Sequence, residues 1–413
     1  MSARLDKADW LAGGALAALL AALDRDGEEA RVVGGAVRNT LMGLPPGDID
    51  VATTALPQEV MRRAGSHGFK AVPTGFEHGT VTVVVDGTPF EVTTLREDVE
   101  TFGRKATVRF GRDWVRDAER RDFTMNALSV SADGVVHDHV GGLDDLAQRR
   151  VRFIGDPATR IAEDYLRILR FFRFHAAYGH GAPDADGLHA CIVMRAGLAQ
   201  LSRERVRMEL MKLMVAPGAA ETLTVMADSG LLGPVLAGAP LLGPLRGMVA
   251  REAALGLDPD PVRRLGALAV SVVEDAERLW QRLRLSNQEH ERLSAMADGW
   301  WRVSPDAGEQ AARALLYRMG PEHFRDRVLL AWSRARAPAD DTAWRALVAL
   351  PRRWTAPEFP LRAADFIKRG IEKGPRLGAA LSAAEKAWIA AGFPLDGAAL
   401  ATIADETTAD AKS

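Results

Sequence analysis

The spacing of apolar and polar residues divides the chain into two parts of different character. Before about residue 155, short runs rich in β-branched residues alternate with short helical patterns, whereas helical periodicity dominates from there to the end. The clearest strands are Thr80–Val85 and Phe90–Leu95, separated by Asp86–Gly87, a two-residue hairpin signal. Arg31–Val33 and Asp48–Thr53 have a similar strand-like pattern. We therefore predict an α+β chain with a mixed head and a long, all-helical arm.

The remaining patterns of the head predict helices and one loop. Residues 1–30 read as an amphipathic helix. Val37–Met42, which ends at Gly43, and Pro57–His67 are predicted to be helical as well. The segment Glu97–Arg112 is polar, charged and without a period, so we expect a mobile loop there.

Composition narrows the class of protein. A chain of 413 residues with 47% hydrophobic content can bury several cores, which predicts two to four domains. No apolar run is long enough to span a membrane, and the charged N-terminus lacks a signal-peptide pattern. The single cysteine, Cys191, excludes an internal disulfide, and with nine histidines it forms no zinc-ligand spacing. We expect a cytoplasmic protein.

Charge and tryptophan content are both unevenly distributed. The net charge is only −2, yet seven arginines face three acids between Arg149 and Arg173. Such a run is ordinarily a solvated helix face, but it is also where a nucleic-acid binder would concentrate positive charge. Seven of the nine tryptophans lie beyond residue 275, and helical spacing favours core anchors over a base-stacking surface.

The first candidate site is a phosphate cradle next to an acidic pair. Gly34 and Gly35 join a strand to a helix, where backbone amides bind anions, and Arg38 follows on the first turn. Asp48 and Asp50, two residues apart on the predicted strand, would point to one face and share a cation such as Mg²⁺. A tight turn at the glycines and a solvated Gly-Asp turn are the alternatives.

Three further groups of residues add to this picture. Glu91, on the predicted hairpin, is either a third carboxylate or an exposed acid at the edge of the core. Arg120–Ala127 begins with two arginines and Asp122, a set suited to a triphosphate and a ribose hydroxyl, although a capped helix start is possible. Asp164 and Arg167 would be neighbours at i, i+3 on a helix, and Arg170 and Arg173 continue that stripe.

The Asp164–Arg167 pair offers a way to select bases. An acceptor beside a donor complements cytosine and adenine, which present an amino donor beside a ring-nitrogen acceptor. Uracil and guanine present the reverse pattern and would leave buried groups unmatched. The alternative is an ordinary salt bridge within one helix.

Five strings in this order resemble the class II tRNA nucleotidyltransferase and bacterial poly(A) polymerase family, over most of residues 30–215. They are Gly34–Asp50, Arg120–Ala127, Asp138–Leu146, Glu163–Phe174 and Leu201–Arg205, and they look like the metal, ribose, hinge, base-recognition and last structural motifs. The resemblance implies a polymerase-β-like nucleotidyltransferase head over residues 1–150. It further implies a helical neck with base recognition (151–215), a helical body (216–300) and a helical tail that binds tRNA (301–413).

The resemblance also implies an activity: addition of C, C and A to the 3′ end of tRNA from CTP and ATP, without a nucleic-acid template, at a two-metal Mg²⁺ site. By motif, Asp48 and Asp50 would be catalytic and hold the metal ions. The incoming nucleotide would be bound by Gly35, Arg38, Arg121, Asp164, Arg167, Arg170 and Arg173, with Asp122 near its ribose. Glu97–Arg112 would be the flexible loop for the switch to A addition, and residues 361–378, with Gly374-Pro375, resemble the tail that grips tRNA.

Two departures and two alternatives remain. Asn39 stands where the family usually has Asp, which puts a salt bridge from that position in doubt, and Phe102 stands in the loop where an acid is expected. The chain could instead be a poly(A) polymerase or a partial CC- or A-adding enzyme. It could also be an RNA-binding protein without catalysis, although such a protein has no need of the Asp48/Asp50 pair.

Overall fold

The computed structural model describes residues 3–5, 8–102 and 105–412. The chain divides into two compact units, Met1–Val235 (unit 1) and Leu236–Ser413 (unit 2). Unit 1 holds the described strands, and the rest of the described chain is mainly helical, so the predicted mixed head and helical arm are confirmed. The four-part division of the chain stays a prediction.

A seven-stranded mixed sheet forms the centre of unit 1. Its strands are β1 (Ala30–Val33), β2 (Asp50–Thr53), β3 (Lys70–Gly75), β4 (Thr80–Val85), β5 (Thr88–Thr94), β8 (Ser129–Val130) and β9 (Val136–His137). Their order is β3-β4-β5-β2-β1-β8-β9, and β2 and β5 run parallel while the other pairs are antiparallel. This parallel pairing sets Asp50, the first residue of β2, beside Glu91 in the middle of β5.

The predicted hairpin is confirmed. β4 alternates buried valines at Val81, Val83 and Val85 with partly exposed residues, as expected for a strand with one face in the core. The turn places both Asp86 (φ 49°) and Gly87 (φ 79°) in the left-handed region, which the sequence Asp-Gly tolerates well.

The segment predicted as a mobile loop is instead a second, two-stranded sheet. Its strands are β6 (Arg96–Phe102) and β7 (Lys105–Phe110), which pair antiparallel. The prediction of an unstructured loop was wrong because cross-strand backbone pairing needs no apolar alternation to form. The part of it that concerns residues 103 and 104 lies outside the described residues.

Short helices surround the sheet and continue beyond it. Those of unit 1 are α1 (Asp9–Ala12), α2 (Gly14–Leu23), α3 (Gly35–Leu41), α4 (Pro57–Ser66), α5 (Trp114–Glu119), α6 (Gly142–Ala147), α7 (Pro157–Glu163), α8 (Leu166–Tyr178), α9 (Ala185–Val193), α10 (Arg203–Met214) and α11 (Ala219–Asp228). The N-terminal helix is shorter than predicted and is interrupted at Gly13, which is extended. The predicted helices after the glycine pair and from Pro57 are confirmed within two residues.

Helices form almost all of the regular structure that follows. They are α12 (Leu232–Leu236), at the division between the units, then α13 (Leu242–Leu255), α14 (Pro261–Ala269), α15 (Val273–Leu283), α16 (Asn287–Ala297), α17 (Gly308–Arg334), α18 (Thr342–Val348), α19 (Leu350–Arg353), α20 (Ala363–Ile367), α21 (Pro375–Ala390) and α22 (Gly397–Lys412). Gly320, with φ 75° and ψ 171°, kinks α17 before Pro321. No helix among the described residues combines the length and apolarity needed to cross a membrane.

Three tryptophans anchor the core of unit 2, as predicted. Trp332 and Trp388 are fully buried, and Trp344, also buried, stacks on Trp332 with ring centroids 6.0 Å apart. Around Trp388 lies a cluster that includes Phe366 and Phe393. The prediction holds only in part for the other four, since three are partly buried and 56% of the fourth is exposed: Trp280, Trp300, Trp354 and Trp301.

Candidate functional site

A cleft of about 660 Å³ in unit 1 brings the predicted site residues together. Its lining includes all nine of them: Gly35, Arg38, Asp48, Asp50, Arg121, Asp164, Arg167, Arg170 and Arg173. Residues separated by more than 100 positions thus meet in one place because the end of β1, the start of β2 and the helix α8 border the same opening. Their chemical roles stay predictions.

The glycine pair forms the junction between β1 and α3. Gly34 has φ 72° and ψ −120°, a conformation that favours glycine, and it precedes the first residue of the helix, Gly35. A Cβ on Gly34 would lie 3.5 Å from Nη1 of Arg121. The backbone conformation of the turn thus requires glycine. The turn also lies close to the guanidinium group of Arg121.

Arg38 lies in the wall of the cleft, but most of its donors are occupied. It is 5% exposed, its Nη2 donates to the Tyr178 hydroxyl at 2.7 Å, and its Nη1 donates to Oδ1 of Asn126. Nε and Nη2 also donate to Oδ1 of Asn39 at 3.1 and 2.8 Å. Four of its five N–H groups are therefore used. Burial lowers the pKa of the Arg38 guanidinium.

Asn39 preserves the hydrogen bond that an Asp would offer Arg38 and adds a donor. Its Nδ2 donates to the carbonyl oxygen of Pro45 at 3.1 Å. Arg38 can only donate and the carbonyl can only accept, so the two partners fix which end of the amide faces which. In place of the salt bridge that was in doubt, the neutral Asn39 amide forms hydrogen bonds to Arg38 and to the turn that leads to Asp48.

Asp48 does not lie on a strand, contrary to the prediction. β2 begins at Asp50, and Asp48 occupies a bend after Gly47, which has φ 71°. Strand alternation therefore does not bring the two carboxylates together. The turn before β2 does so instead, and both residues are exposed to the cleft.

Three carboxylates share this corner. Partial burial of the Asp50 carboxylate, together with the charges of Glu91 and Asp48, raises its pKa above the ordinary range, and Arg121 opposes the shift. Mutual repulsion of this kind is relieved when a cation binds. Among the described residues, no group of three or more His, Cys, Asp or Glu forms a complete metal cage. The donor set thus suits a hard cation that takes further oxygens from a phosphate ligand.

Arg120 and Arg121 share one buried carboxylate. Asp117 accepts from Nε and Nη2 of Arg120 at 2.9 and 2.7 Å, and from the same atoms of Arg121 at 3.4 and 3.2 Å. Although burial opposes ionisation, the two guanidinium groups lower the pKa of Asp117. The longer contacts leave Arg121 the more weakly held of the two, so it can turn toward an anion.

Asp122, predicted to lie near a ribose, is occupied by protein donors. Its carboxylate accepts from Nε and Nη2 of Arg170 at 2.8 and 2.5 Å, from Nδ2 of Asn126 at 3.1 Å and from the backbone N–H of Phe123. Burial opposes its ionisation, but Arg170 and Asn126 outweigh that effect and lower the pKa of Asp122. It therefore joins α8 to the segment after α5.

Arg173 is held by Glu209 and by an aromatic ring. Its Nε donates to the buried Glu209 carboxylate at 2.5 Å, and its guanidinium lies 4.2 Å from the centroid of Phe174. Arg170 also approaches Glu209, at 3.8 Å. The two arginines of the predicted stripe are thus oriented from behind by α10.

Asp164 is not helical, and it does not pair with Arg167. It lies between α7 and α8 with φ −156° and ψ 107°, and its Oδ2 accepts from Nη2 of Arg205 at 2.5 Å. Its Oδ1 accepts from the backbone N–H of Leu166 at 3.1 Å, which caps α8. Each carboxylate oxygen has two acceptor sites, so one site on each remains for a ligand.

Arg167 is anchored through one nitrogen. Its Nη1 donates to Glu163 and, at 2.8 Å, to the carbonyl oxygen of Arg160. Its Nε and Nη2 form no hydrogen bond or ion pair within the described part of the chain. The salt bridge between Asp164 and Arg167 is therefore excluded as the explanation of this pair. Acceptor sites of Asp164 and donors of Arg167 both remain available in the lining of the cleft.

Sequence reasoning missed two acids and one arginine that hold the cleft residues in place. Asp117 stands three and four residues before Arg120 and Arg121, a spacing that predicts helical ion pairs. Glu209 falls on the apolar face of α10, where an unpaired acid would be costly, so its position indicates a buried partner. The contact of Arg205 with Asp164 spans 41 residues and has no local signal.

The charge of the cleft is unbalanced toward positive. Its lining contains six arginines (Arg38, Arg120, Arg121, Arg167, Arg170 and Arg173) and four aspartates (Asp48, Asp50, Asp122 and Asp164), which leaves two positive charges in excess. Asp48 and Asp50 are exposed, whereas Asp122 is buried and paired with Arg170. Such a site suits a polyanion with a cation bound at one end.

Two family profiles match parts of unit 1. The one described as "Poly A polymerase head domain" covers residues 30–152, and the match to "Probable RNA and SrmB- binding site of polymerase A" covers residues 184–242. The second match ends seven residues into unit 2. The first match contains the metal, ribose and hinge motifs, and the second contains the last structural motif, Leu201–Arg205.

Longer relatives cover nearly the whole chain. It is 34% identical over 386 residues to the CCA tRNA nucleotidyltransferase 1, mitochondrial, of Danio rerio, a match that covers 87% of this chain and 83% of that protein. It is 32% identical over 380 residues to the CCA-adding enzyme of Limosilactobacillus fermentum, covering 89% and 90%.

A solved structure resembles the chain across both units. The Bacillus stearothermophilus CCA-adding enzyme in complex with CTP superposes with a TM-score of 0.76 and 28% sequence identity, covering 96% of this chain and 98% of that one. The resemblance drawn from the motifs is confirmed by these matches. This chain belongs to the family of CCA-adding tRNA nucleotidyltransferases, which join nucleotides without a nucleic-acid template.

Proposed function

We propose that this enzyme adds C, C and A to the 3′ end of tRNA from CTP and ATP, and that the cleft of unit 1 performs the reaction. The observation that carries the proposal is the meeting of the Asp48/Asp50 pair with the arginine-rich helix α8 in one opening. A nucleoside triphosphate fits this arrangement because it has an anionic end for the acids and their cation, and a base for the opposite wall.

We propose Mg²⁺ as the cation held by Asp48 and Asp50. Members of the family use a divalent metal, and the exposed carboxylates with their elevated Asp50 pKa provide hard oxygen donors. When bound, a pair of such ions activates the attacking hydroxyl and offsets charge on the leaving pyrophosphate. A titration of activity against Mg²⁺ and Mn²⁺ tests the choice of metal.

The arginines position the triphosphate in this scheme. Arg121 is weakly held and lies beside the backbone of Gly34, so the arginine and the amides of the turn can contact one phosphate. Arg38 acts mainly by holding that turn, since four of its donors are already occupied. The tRNA 3′ hydroxyl then attacks the α-phosphorus and pyrophosphate leaves.

Base selection falls to Asp164 and Arg167. The remaining acceptor sites of Asp164 face an amino group, and Nε and Nη2 of Arg167 face a ring nitrogen, a pattern that C and A both satisfy. Uracil and guanine would set donor against donor and acceptor against acceptor. Arg170 and Arg173 support this wall through Asp122 and Glu209.

The division of labour along the chain and the cellular compartment belong to the same proposal. The head, neck, body and tail boundaries, and tRNA contact by residues 361–378, rest on motif resemblance; Gly374 (φ 150°) and Pro375 do begin α21. The cytoplasm is the proposed compartment, although the curated relatives include mitochondrial proteins. Cell fractionation of the tagged protein distinguishes the two.

The decisive experiment supplies the purified enzyme with tRNA that lacks its last three nucleotides. With CTP alone we expect two added C residues, with ATP alone none, and with both a complete CCA end, read by sequencing the products. Long A tracts on any RNA would identify a poly(A) polymerase. Products that stop after CC, or that add only A to tRNA already ending in CC, would identify a partial enzyme.

A further inference from the structure

The carboxylate of Asp164 owes its position to a break between two helices. α7 ends at Glu163, Asp164 is extended, and Tyr165 precedes the first residue of α8. A continuous helix would point this side chain elsewhere, because one residue in extended conformation redirects the side chains on both sides of it. Whatever holds this junction therefore sets where the acceptor of the base-reading pair lies.

Gly197 packs directly on the ring of Tyr165. It is buried in the short 3₁₀ helix Arg195–Gln200, and a Cβ built on it would lie 1.9 Å from Cδ1 and 2.1 Å from Cε1 of the ring. Carbon atoms in ordinary contact are about 3.5 to 4.0 Å apart, so no side chain fits while the ring stays in place. Gly197 is absent from the residues with positive φ, so the ring, not the backbone conformation, requires glycine here.

We propose that the contact of Tyr165 with Gly197 is a specificity-determining support, which fixes Asp164 relative to Arg167 and so sets which bases the enzyme accepts. The inference rests on the proposed function, in which these two residues read the base. Tyr165 and Gly197 act as positioning residues, since neither lines the cleft.

Two neighbouring supports hold the junction from the same side. The 3₁₀ helix with Gly197 precedes α10 by two residues, and α10 supplies Arg205, which binds the Asp164 carboxylate. One segment thus holds the ring of Tyr165 through Gly197 and the acid next to it through Arg205. A shift of the ring moves Asp164 against a fixed Arg205, while Arg167 stays anchored on Glu163 and the Arg160 carbonyl.

The first test is Gly197→Ala, assayed for incorporation of CTP and of UTP on tRNA lacking its terminal nucleotides. We expect the ratio of kcat/KM for CTP over UTP to fall about tenfold or more, the range of one mispositioned polar contact. The rate with CTP should fall less than the ratio does. Tyr165→Phe keeps the ring and should keep the ratio near that of the wild type.

A matched control separates selectivity from general damage. Gly247 in unit 2 is crowded by rigid atoms as well, because a Cβ there would lie 2.6 Å from the backbone carbonyl oxygen of Ser333. Gly247→Ala should lower the melting temperature and leave the CTP-to-UTP ratio unchanged. An equal change of ratio in both variants would overturn the proposal, because loss of packing alone would then explain it.

A volume exchange provides the sharper test. Tyr165→Ala removes the ring and should impair selectivity, whereas the double variant Tyr165→Ala/Gly197→Leu refills the space from the opposite side. We expect the double variant to recover the ratio to within about threefold of the wild type, since compensating volume changes are coupled. Additive losses would show that the two residues do not act through one contact.

The outcomes separate this inference from the proposed function. If the wild type builds CCA ends but Gly197→Ala discriminates as well as the wild type, the inference fails and the function stands. If the wild type adds no nucleotide, the function fails. Binding of CTP and of UTP, measured by calorimetry on the same variants, then decides: an unchanged affinity ratio in Gly197→Ala overturns the inference, and a lowered ratio supports it.

Discussion

Both units contain a cluster of buried arginines and carboxylates, but the two clusters differ in what they leave unpaired. In unit 2, Glu252 accepts from Nε of Arg263 at 2.8 Å and from Nε of Arg264 at 2.6 Å, and Asp326 accepts from Arg292 at 2.6 Å. Glu252 and Asp326 are at most 1% exposed. Asp260 completes this closed cluster, giving three acids against three arginines.

The cleft of unit 1 uses the same residue types but leaves some of them unsatisfied at an opening. Asp117, Asp122 and Glu209 each pair with arginines of the cleft, as Glu252 does in unit 2. Arg121 is held by long contacts only, and Asp48 and Asp50 lie exposed and repel each other. Balanced, enclosed ion pairs hold a fold together, whereas unbalanced groups at an opening indicate a ligand of complementary charge.

The largest effect should come from removing an acid of the open cluster. Asp48→Ala takes away a cation ligand and should reduce both C and A addition about 10³-fold or more, because several kcal/mol of charge stabilisation depend on the metal. The melting temperature should not fall, since Asp48 is exposed and forms no ion pair with any residue that the structure describes. Single-turnover addition and tRNA binding are the measurements.

The matched control for Asp48→Ala is Glu221→Ala, an exposed acid on α11. It should leave addition unchanged, and both variants should still bind tRNA. Turnover near the wild-type rate in Asp48→Ala would remove Asp48 from the catalytic site and weaken the contrast between the clusters.

The closed cluster should respond in the opposite way. Glu252→Ala leaves Arg263 and Arg264 buried without their acid, which should cost unit 2 about 3 to 5 kcal/mol of unfolding free energy. Nucleotide binding by unit 1 should be retained. Tryptophan fluorescence during urea unfolding reports the loss, because seven of the nine tryptophans lie in unit 2. A variant as stable as the wild type would show that this cluster is not structural.

The contrast also explains which parts of the site the sequence could predict. The residue types and their order were enough to identify the acids and arginines of the cleft, because charge next to glycine or on a helix is a local pattern. The backbone features that bring these residues into one cleft, however, are not visible in local sequence patterns. Asp48 is placed by a turn clamped from Asn39, and Asp164 by a helix break, whereas strand and helix periods predicted regular structure at both.

The predicted and observed side-chain partners of Arg167, Asp164 and Arg38 also differ. Arg167 was expected to face Asp164 but is anchored on Glu163, one helical turn before it, and Asp164 is bound by Arg205 from α10. Arg38 was expected at a phosphate but is mostly occupied by Asn126, Tyr178 and Asn39. The contacts of Asp164 with Arg205 and of Arg38 with Asn126 and Tyr178 join residues 41 to 140 positions apart, which a single sequence does not reveal.

Removing a base reader should have a smaller effect than removing a cation ligand. Arg167→Ala deletes the free donor edge, so choice among the four nucleotides should loosen by about 10- to 100-fold, the value of one good bidentate contact. Competition between CTP and UTP in one reaction measures it. Arg116→Ala, on the exposed face of α5, is the control. Unchanged selectivity in Arg167→Ala would assign base reading to other residues.

The smallest effect concerns Asp122, which lies in the cleft yet is paired like an acid of the closed cluster. Its pKa is lowered in the folded protein, so it contributes stability above its unfolded pKa, and that contribution is lost as the pH falls through the folded value. Asp122→Asn keeps the shape but loses the charge-assisted bonds to Arg170, at a cost of about 1 to 3 kcal/mol at neutral pH.

The pH dependence distinguishes this role from a contact with substrate. Below about pH 4, where an unfolded aspartate begins to bind its proton, the wild type should lose stability more steeply than Asp122→Asn, so the difference between them narrows in acid. Hydrogen exchange of amides in α8 reports it within unit 1. Parallel curves would mean that the carboxylate does not titrate with folding, and Asp122 would then belong with the open groups of the cleft, not with the closed pairs.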